Sequence, residues 1–331
     1  MAEQVDARDL KSLGGFLRAG SIPALGTSFI ENLLDPKTPL KPILKEAIRL
    51  RRAHFGNSFK LHVLENAKKG GCSEDCSYCG QSSKFPTPVT PSAPLKASEL
   101  IAGAKEAQAS GAYRFCMAIA RRGAVEADLR VVGEAVSFMA RDLGLKTCFS
   151  SGFLDDAALD FLKACGLDRI NHNLNAPREV YPRICSSHTY EDRLQMARRV
   201  KERGLELCCG FIVGLGESLK ELAGLLQDLA ELKPDAIPVN FLIPIPGTPL
   251  EGAPPLNPEQ CLRVLCVVRL LLPATEVRLA AGRELHLGAL EPIGFLVADS
   301  AFLGDYLTAK GQEGSRTLRM VRALGLDPLQ A

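Results

Sequence analysis

The sequence has no tryptophan, and Phe and Tyr together make up only 6% of its 331 residues. Platforms that stack single-stranded bases are built from exposed aromatic rings, so the shortage speaks against that class of function. Charge of one sign is also missing: 40 Lys and Arg stand against 38 Asp and Glu, a formal net of +2. Neither nucleic acid nor a membrane surface is an expected partner on that balance. No long apolar run exists. The stretch 264–272 is interrupted by Arg269 and is far shorter than the ~20 residues a bilayer span needs. The start, Met1-Ala2-Glu3-Gln4-Val5-Asp6, is acidic and lacks the apolar core of a secretory signal. A cytoplasmic location is the expectation.

What is present is a globular composition, 46% hydrophobic and 24% charged, sufficient for a large core in one or two domains. It includes 11 cysteines. In a reducing compartment these read as thiols or metal ligands rather than disulfides, and their odd number agrees.

Apolar, β-rich runs alternate with amphipathic helical ones. The strand-like runs lie near 60–66, 113–119, 146–151, 169–175, 205–213, 236–243, 276–281 and 294–298. Helical patterns cover 97–111, 155–166, 190–204, 218–232 and 257–271, with glycine stops at Gly166 and Gly204. Alternation of this kind implies a parallel sheet. Eight candidate strands predict an α/β fold of the (β/α)8 TIM-type barrel class, with a doubly wound open sheet as the alternative. Residues 1–55 read as an N-terminal helical extension, 56–312 as the barrel and 313–331 as a C-terminal tail without legible chemistry. The Pro-rich stretch 85–94 reads as a loop.

The sharpest local signal is Gly71-Cys72-Ser73-Glu74-Asp75-Cys76-Ser77-Tyr78-Cys79, a C-x3-C-x2-C spacing. Three thiolates on one tight loop can hold three irons of a 4Fe–4S cube. The fourth iron is then free to chelate S-adenosylmethionine, and such chemistry belongs to the cofactor while the protein places it. A zinc knob is the competing reading. Zinc favours four closed ligands, often in paired C-x2-C motifs, and no second pair follows here; a lone His62 is more commonly structural. Glu74 and Asp75 read as exposed charges on this loop. Cys116, Cys148 and Cys208 each fall on a strand-like run, as does Arg278, so a barrel would let them converge on its axis. Spacing alone leaves these equally readable as buried, inert cysteines. Cys209 should face away from Cys208, and Cys165, Cys185, Cys261 and Cys266 read as structural. Arg114, two residues before Cys116, shares its face and reads either as a partner near Arg278 or as a structural arginine.

The triplet matches the radical S-adenosylmethionine superfamily, and its flanks Asn66-Ala67-Lys68-Lys69-Gly70-Gly71 and Tyr78-Cys79-Gly80-Gln81-Ser82-Ser83 resemble the biotin synthase family. From about residue 45 onward further landmarks agree in order and spacing: Tyr113-Arg114-Phe115-Cys116, Asn171-His172-Asn173-Leu174, Gly210-Phe211-Ile212-Val213-Gly214-Leu215-Gly216-Glu217, Ile237-Pro238-Val239-Asn240-Phe241 and Ala281-Gly282-Arg283-Glu284. The resemblance implies a 4Fe–4S cluster on Cys72, Cys76 and Cys79, and an auxiliary 2Fe–2S cluster on Cys116, Cys148, Cys208 and Arg278. It implies that Asn173 lies between S-adenosylmethionine and dethiobiotin, that Asn175, Gly210, Ile212 and Gly214 border the adenosyl group, and that Asn240 binds the ureido ring. Many members carry Asp where this chain has Asn175, and a small residue where it has Cys209.

The implied reaction is radical insertion of sulfur into dethiobiotin, initiated by a 5′-deoxyadenosyl radical, with the auxiliary cluster as sulfur donor. A reducing flavoprotein such as flavodoxin, the iron–sulfur assembly machinery and a second copy of the chain are the implied partners. Two alternatives remain at this level. One is a related radical barrel enzyme, of hydrogenase maturation or methylornithine formation; the other is a non-catalytic iron–sulfur carrier.

Overall fold

Strands that are apolar at every position need cover on both faces, and a parallel sheet ringed by helices supplies it. The structure, a computed structural model, describes residues 26–329. Its strands are β1 Ser58–Lys68, β2 Arg114–Ile119, β3 Lys146–Ser150, β4 Arg169–Asn171, β5 Glu206–Cys208, β6 Phe211–Val213, β7 Ala236–Phe241, β8 Glu276–Leu279, β9 Ser300–Phe302 and β10 Asp327–Leu329. Neighbours pair in the order β1-β2-β3-β4-β5-β7-β8-β9, and β9 returns to β1. The barrel is therefore closed. β6 continues the position of β5 and also pairs with β7, so eight strand positions make the ring, as the alternation predicts.

Three local departures from the sequence reading have identifiable causes. The run 294–298, read as the eighth strand, lies largely in the helix Glu291–Val297, and the strand is Ser300–Phe302. A short apolar run does not distinguish a buried helix from a strand; the informative signal was Pro292 in the first helical turn. The run 205–213 breaks at Cys209–Gly210, where the backbone passes so close to β7 that a Cβ on Gly210 would lie 2.0 Å from the Pro238 carbonyl oxygen. The run 169–175 is a ladder strand only to Asn171, and Asn175 sits at φ 67°, in the left-handed region that asparagine tolerates.

Helices Ala97–Ala109, Asp156–Ala164, Tyr190–Glu202, Leu219–Leu232 and Pro258–Leu271 agree with the sequence reading to within a few residues. A further helix, Glu126–Phe138, fills the gap before β3. Residues 1–25 of the extension lie outside the described residues. Its remainder forms helices Thr27–Leu34 and Leu40–Phe55. The second sits at the N-terminal ends of the strands, where buried Arg51 donates to the carbonyls of Ala298 (3.2 Å) and Ser58 (2.5 Å). Beyond residue 313 the chain forms the helix Gly314–Ala323 and β10, which pairs with the start of β1.

The Gly210 contact yields a direct test. Gly210→Ala forces β6 away from β7, an overpacking expected to cost about 1–3 kcal/mol. A lowered denaturation midpoint for the variant checks this; an unchanged midpoint would mean that the backbone yields at no cost.

Candidate active site

In a closed barrel, residues at alternate strand positions stack in layers on the axis. The lowest layer here is charged. Arg169 of β4 donates to Glu206 of β5 (2.8 Å) and to Glu276 of β8 (3.1 Å), while Arg114 of β2 donates to Glu206 (3.0 Å) and to the Thr147 carbonyl (2.7 Å). Glu276 is buried and also takes Arg278 at 2.6 Å and the Ser300 hydroxyl at 2.9 Å. Burial pushes the Glu276 carboxyl up, but Arg169 and Arg278 outweigh it and hold the group well below the usual range. Arg114 is thus a buried, ion-paired member of this floor.

One layer higher lie the three strand cysteines. Cys116 and Cys148 are register partners across β2 and β3. Cys208 faces Arg278, whose Nη1 is 3.5 Å from the Cys208 sulfur. All three thiols and Arg278 are buried, and Cys116, Cys148 and Arg278 line a cavity of about 120 Å³ on the axis. Arg278 Nε is buried without a hydrogen-bond partner. Thiol donors from three strands and one guanidinium suit an anionic iron–sulfur group, since the cationic floor offsets thiolate charge. Cys209 points the other way, into the apolar core between sheet and helices, and burial pushes its thiol up to about 12.

Above this layer, Asn171 donates to Asn173 Oδ1 at 3.0 Å, and Asn173 Oδ1 also accepts the Gly210 amide at 2.9 Å. Asn173 lines three adjoining cavities: the thiol cavity, one of about 240 Å³ at the cysteine loop, and one of about 230 Å³ under residues 306–309. Asn175, Ile212 and Asn240 line the last of these with Tyr78 and Tyr306. Asn240 reaches the Phe211 carbonyl (3.1 Å) and accepts the Ala281 amide (3.3 Å), which fixes its amide plane. Gly210 and Gly214 shape the strand that carries Ile212: Gly214 adopts φ 102°, closed to other residues without strain.

The loop with Cys72, Cys76 and Cys79 lies over the C-terminal mouth. Its turn is closed by Cys79 N to the Cys76 carbonyl at 2.9 Å, and all three thiols line the 240 Å³ cavity. His172 lines it too, with a buried Nε2 that has no partner. Three sulfurs on one wall, an unpartnered imidazole nitrogen and the Arg193 guanidinium beside them suit a cluster with an open iron and an anionic ligand.

The sequence reading missed what holds this loop. Glu74 is buried, against its reading as an exposed charge, and receives Ser187 (2.9 Å), His188 (2.5 Å) and Arg122 (3.1 Å). Asp75 accepts the Ser186 and Ser187 amides at 3.0 and 3.1 Å. Cys185, read as structural, has its sulfur 3.9 Å from that of Cys76 and 3.3 Å from His188 Nδ1. With them it forms the set Cys76, Cys185 and His188, whose donor atoms are close enough to share a metal ion. The C-x2-H spacing of Cys185 and His188 was the available signal.

Residues 69–229 match the radical SAM superfamily, and 238–327 match the biotin and thiamin synthesis associated domain. The chain is 44% identical over 285 residues to the biotin synthase of Rhodopirellula baltica, covering 86% of this chain and 79% of that one. It is 41% identical to the biotin synthase of Lysinibacillus sphaericus, covering 87% of each. Among solved structures, a methylornithine synthase superposes with TM-score 0.81 at 19% identity, covering 96% of this chain and 97% of that one. An FeFe-hydrogenase maturase from Carboxydothermus hydrogenoformans gives 0.80 at 15%, covering 99% and 81%. These two establish the shared barrel.

The Glu74 clamp is testable. Burial raises its carboxyl, but the hydrogen bonds from Ser187 and His188 prevail and hold it below the ordinary value. A carboxyl depressed in the folded state contributes stability that is complete above its unfolded pKa of ~4.3 and is lost on acidification below it. Glu74→Ala is expected to cost about 1–3 kcal/mol at neutral pH and to speed amide exchange across residues 72–82. The cost should shrink in acid; a pH-independent difference would sink the account.

Proposed function

The chain belongs to the biotin synthase family, and from that membership we propose that it inserts sulfur into dethiobiotin at the site just described. Members of this family are radical S-adenosylmethionine enzymes that work with a 4Fe–4S and a 2Fe–2S cluster. The observation that carries the assignment is the stack on one axis: cysteine loop at the mouth, Asn173 at the cavity junction, thiol and arginine layer beneath. Cys72, Cys76 and Cys79 hold the first cluster; Cys116, Cys148, Cys208 and Arg278 hold the second. When bound, the two clusters together with S-adenosylmethionine would supply the reducing electron, the organic radical and the sulfur.

The residues of the chain do the placing. Asn173, Asn175 and Ile212 border the adenosyl group, with Gly210 and Gly214 giving the backbone its approach. Asn240, its amide oriented by backbone groups on β6 and after β8, meets the ureido ring. The apolar walls from Leu64, Ile243, Phe302 and Leu307 exclude water and hold the reacting carbons in line with the sulfur layer. Classification as a sulfurtransferase is part of this proposal. So are a flavodoxin-like reductant, a cluster-assembly donor and pairing of two copies, which rest on the family alone. Among the described residues no helix is long and apolar enough to cross a membrane.

Anaerobic protein, with iron and sulfide content verified, is incubated with S-adenosylmethionine, dethiobiotin and a low-potential reductant, and products are read by mass spectrometry. Biotin together with 5′-deoxyadenosine is expected. Cys148→Ala and Cys208→Ala should lower biotin formation by about 100-fold or more while still releasing 5′-deoxyadenosine. Cleavage without biotin from protein that retains both clusters would overturn the substrate assignment.

A further inference from the structure

Glu276 and Arg278 stand two residues apart on β8, so both project onto the barrel axis, one layer apart. A free guanidinium can turn either terminal nitrogen toward a neighbour, and here one is already committed. Arg278 Nη2 donates to Glu276 Oε1 at 2.6 Å, leaving Nη1 on the side of Cys208, 3.5 Å from its sulfur. Glu276 is itself held from several sides. Ser300 Oγ donates to Oε1 at 2.9 Å, Arg169 Nη1 donates to Oε2 at 3.1 Å, and Lys60 Nζ and His62 Nε2 lie at 3.5 and 3.2 Å. Both side chains are about 97% shielded from solvent, with 3% and 2% exposure.

We infer that Glu276 is a positioning residue of the sulfur-donor site: its carboxylate fixes the Arg278 fork so that, of the two terminal nitrogens, Nη1 is the one that faces the thiol layer. The inference rests on the reading of Arg278 as the nitrogen ligand there and adds which atom is presented and what orients it. Carboxylates that orient a nitrogen ligand from behind are a recurring part of metal sites, and their loss loosens the metal. Glu276 has a second task that must be separated from the first, because it also neutralises Arg169 and Arg278 in a buried layer. Removing the carboxylate outright risks the fold through uncompensated buried charge. Glu276→Asp keeps the charge but withdraws the oxygen by one methylene, which breaks the short contact to Nη2. Glu276→Gln keeps the shape and removes the charge.

The test is made on anaerobically purified full-length protein carrying both clusters. The readouts are the visible absorption and reduced-state paramagnetic resonance of the auxiliary cluster, and the rate at which a chelator bleaches it; thermal melting follows the fold. Expected is that Glu276→Asp melts near the parent but loses the auxiliary cluster to chelator about tenfold faster, with a shifted resonance spectrum. Glu276→Gln, whose amide oxygen can still accept from Nη2, should keep the auxiliary spectrum closer to the parent than Glu276→Asp does, whether or not it also melts earlier. The cluster held by the mouth cysteines should be unaffected in both. If Glu276→Asp matches the parent in spectrum and bleaching rate, Glu276 only balances charge and the inference is overturned. Arg278→Ala is run alongside. Should that variant leave the auxiliary spectrum unchanged, the ligand reading itself fails, and the positioning role falls with it for a separately identifiable reason.

Discussion

The interior of this barrel is organised around an excess of positive charge placed where water does not reach. Three guanidiniums, of Arg114, Arg169 and Arg278, meet two carboxylates, of Glu206 and Glu276, and only Glu206 is substantially exposed. Such a layer is unfavourable by itself, since each ion loses hydration that its partners must replace. The ion pairs and hydrogen bonds that each carboxylate accepts offset that loss. The surplus cation is then available to stabilise negative sulfur in the layer above. Strand register decides this arrangement: a shift of one residue in β8 would send Glu276 and Arg278 out into the apolar core.

From that floor upward the chemistry changes in order. Charged groups give way to thiols, thiols to amides, and amides to a mouth crossed by the cysteine loop. Asn173 and Leu307 border all three cavities, which places the Asn173 amide at the junction between them. The loop over the mouth has little regular structure of its own. It is held by two acid groups, the buried Glu74 and the half-buried Asp75, that bind the 186–188 segment, and long loops of this type keep one conformation only when their polar groups are satisfied elsewhere.

Much of the fold was legible. Seven of the eight strand positions, the five clear helices and the barrel class follow from periodicity, glycine stops and alternation. The failures have different causes, one a local signal and the others tertiary contacts. At 294–298 an apolar pentapeptide fits either element, and the helix wins because Pro292 opens one. At 205–213 the pattern is continuous, yet Pro238 on the next strand leaves room only for an interrupted ladder around Gly210. Glu74 looks like any loop acid in sequence; its burial depends on His188 and Ser187, more than a hundred positions away.

The sequence by itself determined the cysteine spacing, the order of landmarks, the alternation that implies a parallel sheet and the family to which the chain belongs. These are local or collinear properties, written in residue type and distance along the chain. Only the tertiary structure decided that Cys116, Cys148, Cys208 and Arg278 share one layer, that Glu276 faces Arg278 with a particular nitrogen left over, and that Cys185 lies beside Cys76. Those facts depend on register between strands and on which side of each strand turns inward. They are set by how the whole ring packs at once, and no segment carries them alone.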